Sequence, residues 1–156
     1  MIDLTTPIIP YEGTGIFKLD SSYDEVKALL QENNISYKEE IWEATDVDPP
    51  WTVIGICKEE SPEKCLAIKL FFAKNRLFRI CLYEGFEGKL PNGSHIGMPL
   101  AEAQKIAPTL TFDDWDEMFI SANGYWTEDD VNTKKLCWIT IFIPAFERDD
   151  FFEYKW

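Results

Sequence analysis

The densest run of reactive side chains is TFDDWDEMF, residues 111–119, where Asp113, Asp114, Asp116 and Glu117 fall within five positions among Phe112, Trp115, Met118 and Phe119. Carboxylates at that density suit three tasks: holding a hard cation, acid–base work on a substrate, or meeting a basic partner. A calcium loop sets oxygen ligands at alternate positions and turns on a glycine. FDDWDEM does neither, so no metal site is expected. Glycosidase-type chemistry needs two carboxylates facing each other across a cleft. Adjacency in sequence neither supplies nor forbids such a pair, which leaves a carboxylate-dependent hydrolase as a minor alternative.

The other reactive residues say less. His95 is the one histidine, and in PNGSHIG it sits beside Ser94. Neighbours in a loop do not point at each other as a nucleophile and its base must. Cys57, Cys65, Cys81 and Cys137 fit no zinc spacing. In an acidic chain they lack the electropositive setting that makes a reactive thiolate, so they are expected to be reduced, buried, small hydrophobes. GFEGKLPNG and GSHIG lack the spacing and the strand-to-helix context of a nucleotide-binding loop. The expectation is a protein that is not an enzyme and carries no cofactor.

Basic-partner docking remains. Acids mixed with aromatic residues recur in YWTEDD (125–130) and in FERDDFFEYKW at the C-terminal end. Asp113, Asp114, Asp116 and Glu117 are expected to pair with a partner's Lys and Arg, with Trp115 and Trp126 as anchors and Glu128, Asp129 and Asp130 extending the same face. The local structure of 111–119 stays open. Phe112, Trp115 and Phe119 recur as on an amphipathic helix, whereas the related stretch ISYKEEIWEA alternates as a strand.

Bulk properties agree. Net charge is −13, and residues 111–156 hold eleven acids against four bases, a net of −7. Such a field repels nucleic-acid phosphates and anionic membrane surfaces and attracts basic proteins. The apolar fraction of 46% and aromatic fraction of 15% exceed what a disordered acidic chain carries. MIDLTTPIIPYEG has no signal-peptide pattern, and no apolar run is long enough to span a bilayer, so a cytoplasmic protein is expected.

The elements that must position these residues follow from periodicity. The 156 residues suit one domain. After an extended arm to Gly15, Ser21 or Ser22 can cap a helix with Asp24 and Glu25 in its first turn and Val26, Leu29 and Leu30 as its apolar stripe. WTVIGIC and the stretch Leu66 to Tyr83 read as strands, the latter a hairpin closing near Lys74, Asn75 and Arg76. GKLPNGSHIGMP is a connector, after which the pattern restarts. An offset of 77 aligns Val26 with Ala103, Leu29 with Ile106, Ile35 with Phe112, Ile41 with Met118 and Trp42 with Phe119, the last three pairs read as shared core. A different offset matches IKLFF (68–72) to ITIFI (139–143). The expected fold is α+β: two degenerate halves, about 15–88 and 93–156, each a helix plus an antiparallel meander, forming a largely antiparallel sheet with helices on one face.

The segments DDWDE, YWTEDD and ERDDFFEY resemble those of bacterial immunity proteins, the antidotes made beside polymorphic or contact-dependent inhibition toxins, whose toxic domains are often basic nucleases. That resemblance implies a partner-neutralising protein rather than an accessory or regulatory interaction domain, the other binding alternative. The duplicated helix-plus-meander plan, from Gly15 onward, resembles that of β-lactamase inhibitory proteins, which grip an enzyme with a concave sheet. The secretion signal and paired disulfides of those inhibitors are missing here, so the resemblance extends to architecture rather than to target.

Overall fold

A computed structural model describes residues 2–45, 50–58, 66–151 and 153. Cys65, the turn KEESPEK beyond Lys58, most of TDVDPP and most of FFEYKW lie outside the described residues. The fold is α+β, with two α-helices and a large antiparallel sheet among the described residues.

Helix α1 spans Tyr23–Glu32. The Ser22 hydroxyl accepts from Glu25 N–H while the Glu25 carboxylate accepts from Ser22 N–H, a reciprocal cap that satisfies two otherwise orphaned donors. Val26 and Leu30, four apart, are buried, and Asn34 ends the helix in the left-handed region at φ 52. Helix α2, Leu100–Ile106, follows Pro99 without a side-chain cap and buries Ala103. The first residues of the two helices are separated by the offset of 77 read from the sequence.

The main sheet is formed by β4 (Lys38–Trp42), β5 (Trp51–Cys57), β6 (Leu66–Ala73), β7 (Arg76–Tyr83), β8 (Thr111–Asp113), β9 (Met118–Ser121), β10 (Tyr125–Asp129) and β11 (Leu136–Phe142). Their spatial order is β4-β5-β6-β7-β11-β10-β9-β8, antiparallel throughout. Each half is thus a helix followed by a four-stranded meander, and the last strands of the two meanders, β7 and β11, pair at the centre. The β6–β7 turn is where the sequence placed it, with Lys74 and Asn75 both at positive φ, as a two-residue hairpin requires.

Register assigns the two faces. One cross-strand row runs Glu39, Ile54, Leu70, Ile80, Ile141, Tyr125, Ser121. Glu39 meets Tyr23 and Lys27 of α1, and the Tyr125 hydroxyl accepts from Asn92 of the connector, so α1 and the connector cover this face. The next row, one residue along, runs Lys38, Gly55, Lys69, Cys81, Thr140, Trp126, Ile120, Thr111. Because side chains alternate, it belongs to the face away from the helices. There the 3-10 turn Pro144–Glu147 and Phe151 lay Phe146 and Phe151 over Phe78.

Several expectations change. The opening arm is a small sheet of β1 (Ile8–Ile9), β2 (Gly13–Thr14) and β3 (Phe17–Lys18). Tyr11 from this arm packs on Phe142 and lies against Gly124, where a Cβ would come within 2.4 Å of its ring; φ at that glycine is +83. Of the two forms left open for TFDDWDEMF, the structure has strands, the β8–β9 hairpin. Of the positions read as shared core, Ile41 is 64% exposed and Phe112 53%, and Trp42 is also exposed. They lie on the edge strands β4 and β8, where one flank has no neighbouring strand. Among the described residues no helix is long and apolar enough to cross a membrane.

Candidate functional site

The acidic hairpin owes its shape to one of its own acids. Asp113 Oδ1 accepts from Trp115 N–H at 3.0 Å and from Asp116 N–H at 2.9 Å, folding the chain into an Asx-type turn. Glu117 completes the reversal at φ 53. The first carboxylate of the cluster is therefore a turn lock rather than a free ligand. Asp114, Asp116 and Glu117 are exposed, and Trp115, between them at the tip, is 92% exposed.

The turn after β10 repeats the device. Asp130 Oδ1 accepts from Thr133 N–H at 2.8 Å and Asn132 N–H at 2.9 Å, with Lys134 at φ 57. These backbone donors, Thr133 foremost, hold the Asp130 carboxyl below its ordinary range. Glu128 accepts from Trp138 Nε1–H at 2.5 Å. Asp129 Oδ2 is buried without a hydrogen bond and pairs with Lys134 Nζ at 3.9 Å. Trp126 is half-buried between Phe142 and Phe146, at centroid distances of 4.9 and 5.1 Å. Trp126, Glu128, Asp129 and Asp130 thus each have an internal task, whereas Asp114, Trp115, Asp116 and Glu117 point outward.

Antiparallel strands alternate direction, so the turns 114–117 and 130–135 leave the same end of the sheet, two strands or about 10 Å apart. The fold brings the two acidic segments together there. Between them on the helix-free face lie Trp126, its β9 partner Ile120, and Glu128 opposite Trp138.

One feature absent from the sequence reading is the aromatic and cationic surface beyond Trp126. Trp42 stacks on Trp51 at 6.0 Å, Lys69 Nζ lies 5.5 Å from the Trp42 ring, and the Arg79 guanidinium lies 4.8 Å from Phe71. Arg79 Nε also donates to Thr140 Oγ1 at 3.2 Å. The signal was present: Lys69 interrupts LAIKLFFA, and Arg79 interrupts LFRICLY, each as a lone cation within an apolar run.

Burial, then Glu128, pushes the Cys137 thiol up to about 11, which keeps it protonated. His95 Nδ1 lies 2.9 Å from the Ile96 carbonyl oxygen within the connector. Cys57, Cys81 and Cys137 are free thiols. Among the described residues no three His, Cys, Asp or Glu side chains converge as a ligand set.

No protein-family model matches the sequence, and no curated protein matches it. In fold the chain is similar to the crystal structure of the uncharacterized protein yfeY from Escherichia coli, with a TM-score of 0.59 and 12% identity over 86% of this chain and 98% of that one. At that identity the likeness is one of architecture: a mostly antiparallel α+β fold shared along nearly the whole of the neighbour.

Proposed function

We propose that this is a non-enzymatic binding protein that meets a basic protein partner through the acidic end of its sheet, as an immunity protein meets a nuclease-type toxin in the cytoplasm. The observation that carries the reading is Trp115, 92% exposed on a turn locked by Asp113 and flanked by three carboxylates with no internal hydrogen bond or ion pair among the described residues. A preordered turn loses little entropy on binding, tryptophan is among the residues enriched at interface hot spots, and the surrounding charge accelerates encounter with a cationic surface. Asp114, Asp116 and Glu117 supply the charge. Asp113 acts through the turn, and Trp126 with Glu128 forms the adjoining surface.

The test is co-expression with the product of the adjacent reading frame, followed by pull-down and an activity assay of that product. The reading expects a salt-sensitive complex in which the partner's activity is blocked, and its loss in Trp115→Ala. A complex that leaves the partner active would favour an accessory or regulatory role instead. Equal capture by Trp115→Ala and by the variant neutralised at Asp114, Asp116 and Glu117 would reject the assigned surface.

A further inference from the structure

A separate cavity opens between the N-terminal arm, the end of α1 and the sheet. Its volume is about 360 Å³, within the range of small-molecule sites and well above an apolar void that stays dry. Ile2, Ile16, Phe17, Ile35, Ile68 and Phe86 supply its apolar walls.

The polar groups on the lining explain which ligand would suit it. Thr14 Oγ1 donates to the Pro7 carbonyl at 2.9 Å, so the Thr6 hydroxyl is the donor in its 3.0 Å contact with Thr14. Asn33 Nδ2 donates to the Leu29 carbonyl at 2.8 Å. Asp3 Oδ1 accepts from Thr5 N–H and Oγ1–H, which hold the carboxyl below its ordinary range and hence ionised. Each hydroxyl proton of the two threonines is thus engaged internally. Asp3 Oδ2 and Asn33 Oδ1, on exposed rim residues, are acceptors without a partner among the described residues. The lining side chains therefore offer apolar area and unpaired acceptors, and the chain around them carries a net charge of −13. Water gains little against the apolar walls, and an anionic head would face a carboxylate.

We propose that this cavity binds a small amphiphilic primary amine, its ammonium between Asp3 and Asn33 and its apolar body among Ile16, Phe17, Ile35 and Phe86. At about 30 Å³ per atom the space holds roughly a dozen non-hydrogen atoms. Decylamine, 1-decanol and decanoate separate the contributions of tail and head, measured by calorimetric titration of the full chain below their micellar concentrations. Decylamine should bind at one site, decanol about tenfold more weakly and decanoate not at all. Asp3→Asn should weaken decylamine about tenfold and leave decanol unchanged. Ile35→Trp should fill the cavity and abolish binding; Ile16→Trp, from an exposed position, provides the same block if the first variant fails to fold. Equal binding of the three probes, failure of decylamine to bind, or undiminished binding by a folded filled variant would overturn the proposal. Trp115→Ala should bind decylamine as the wild type does, so this site and the acidic hairpin stand or fall separately.

Discussion

The β8–β9 and β10–β11 turns are built alike and furnished differently. Each opens with an aspartate whose Oδ1 takes two backbone N–H groups, and each closes with a residue in the left-handed region, Glu117 or Lys134. At the tip of the first stand Asp114, Trp115 and Asp116; the second carries Val131, Asn132 and Thr133, followed by Lys134 and Lys135. The shared part is what closes a hairpin, and the differing part is free to answer to a partner. Counting acids in a segment therefore overstates the side chains free to move onto a partner, because one carboxylate in each turn is committed to the backbone.

The sharpest way to separate the two turns is to truncate their tips. Trp115→Ala should weaken partner binding by about 2 kcal/mol or more, some thirtyfold in Kd, with unchanged Tm. Val131→Ala, at a position 75% exposed on the second tip, should alter neither; an equal loss of affinity there would dissolve the distinction. Neutralising Asp114, Asp116 and Glu117 to Asn and Gln should slow association about tenfold at low salt, the difference closing above about 0.5 M as screening removes steering. Stopped-flow mixing at several salt concentrations reads this directly.

Stability tests probe the shared part. Asp113→Ala removes both turn hydrogen bonds and should cost about 1 kcal/mol, lowering Tm by about 3 °C, while Asp113→Asn keeps an acceptor and loses less. The smallest effect concerns acid. Since the folded-state pKa of Asp130 lies below its ordinary 3.8, the unfolded chain binds its proton first as pH falls. Its contribution is complete above about pH 4 and disappears as pH drops through the lowered folded value. Thermal melts between pH 5 and 2 should show a shallower decline for Asp130→Asn than for wild type.

The first half was legible because local signals and tertiary need agree there. Ser21 or Ser22 announces a cap, Val26, Leu29 and Leu30 an apolar stripe, and Lys74, Asn75 and Arg76 a turn between two strands. The acidic hairpin stayed open between helix and strand because β8 has three residues at a sheet edge, too short and too exposed for burial to impose alternation on Phe112 and Asp113. Phe112, Trp115 and Phe119 then mimic a helical stripe by spacing alone, although Trp115 faces solvent. Likewise ITIFI was matched to IKLFF, yet by element order β11 corresponds to β7 and not to β6. Central strands buried on both sides converge on the same Ile and Phe vocabulary, so their likeness does not establish equivalence. The offset of 77 holds through the helices and fails beyond them, where β4 has five residues and β8 three.

The central seam between β7 and β11 has a consequence for how the chain reaches this state. Each meander closes through neighbours in sequence, whereas the seam brings together Cys81 and Thr140, 59 residues apart. Loop-closure entropy makes it the late step, after both meanders have formed. Until then Leu77–Tyr83 is an open apolar edge, and the edge it seeks exists equally on any other copy of the chain. Refolding at high protein concentration should therefore yield exchanged dimers, detectable by size-exclusion chromatography, that dilute refolding does not produce.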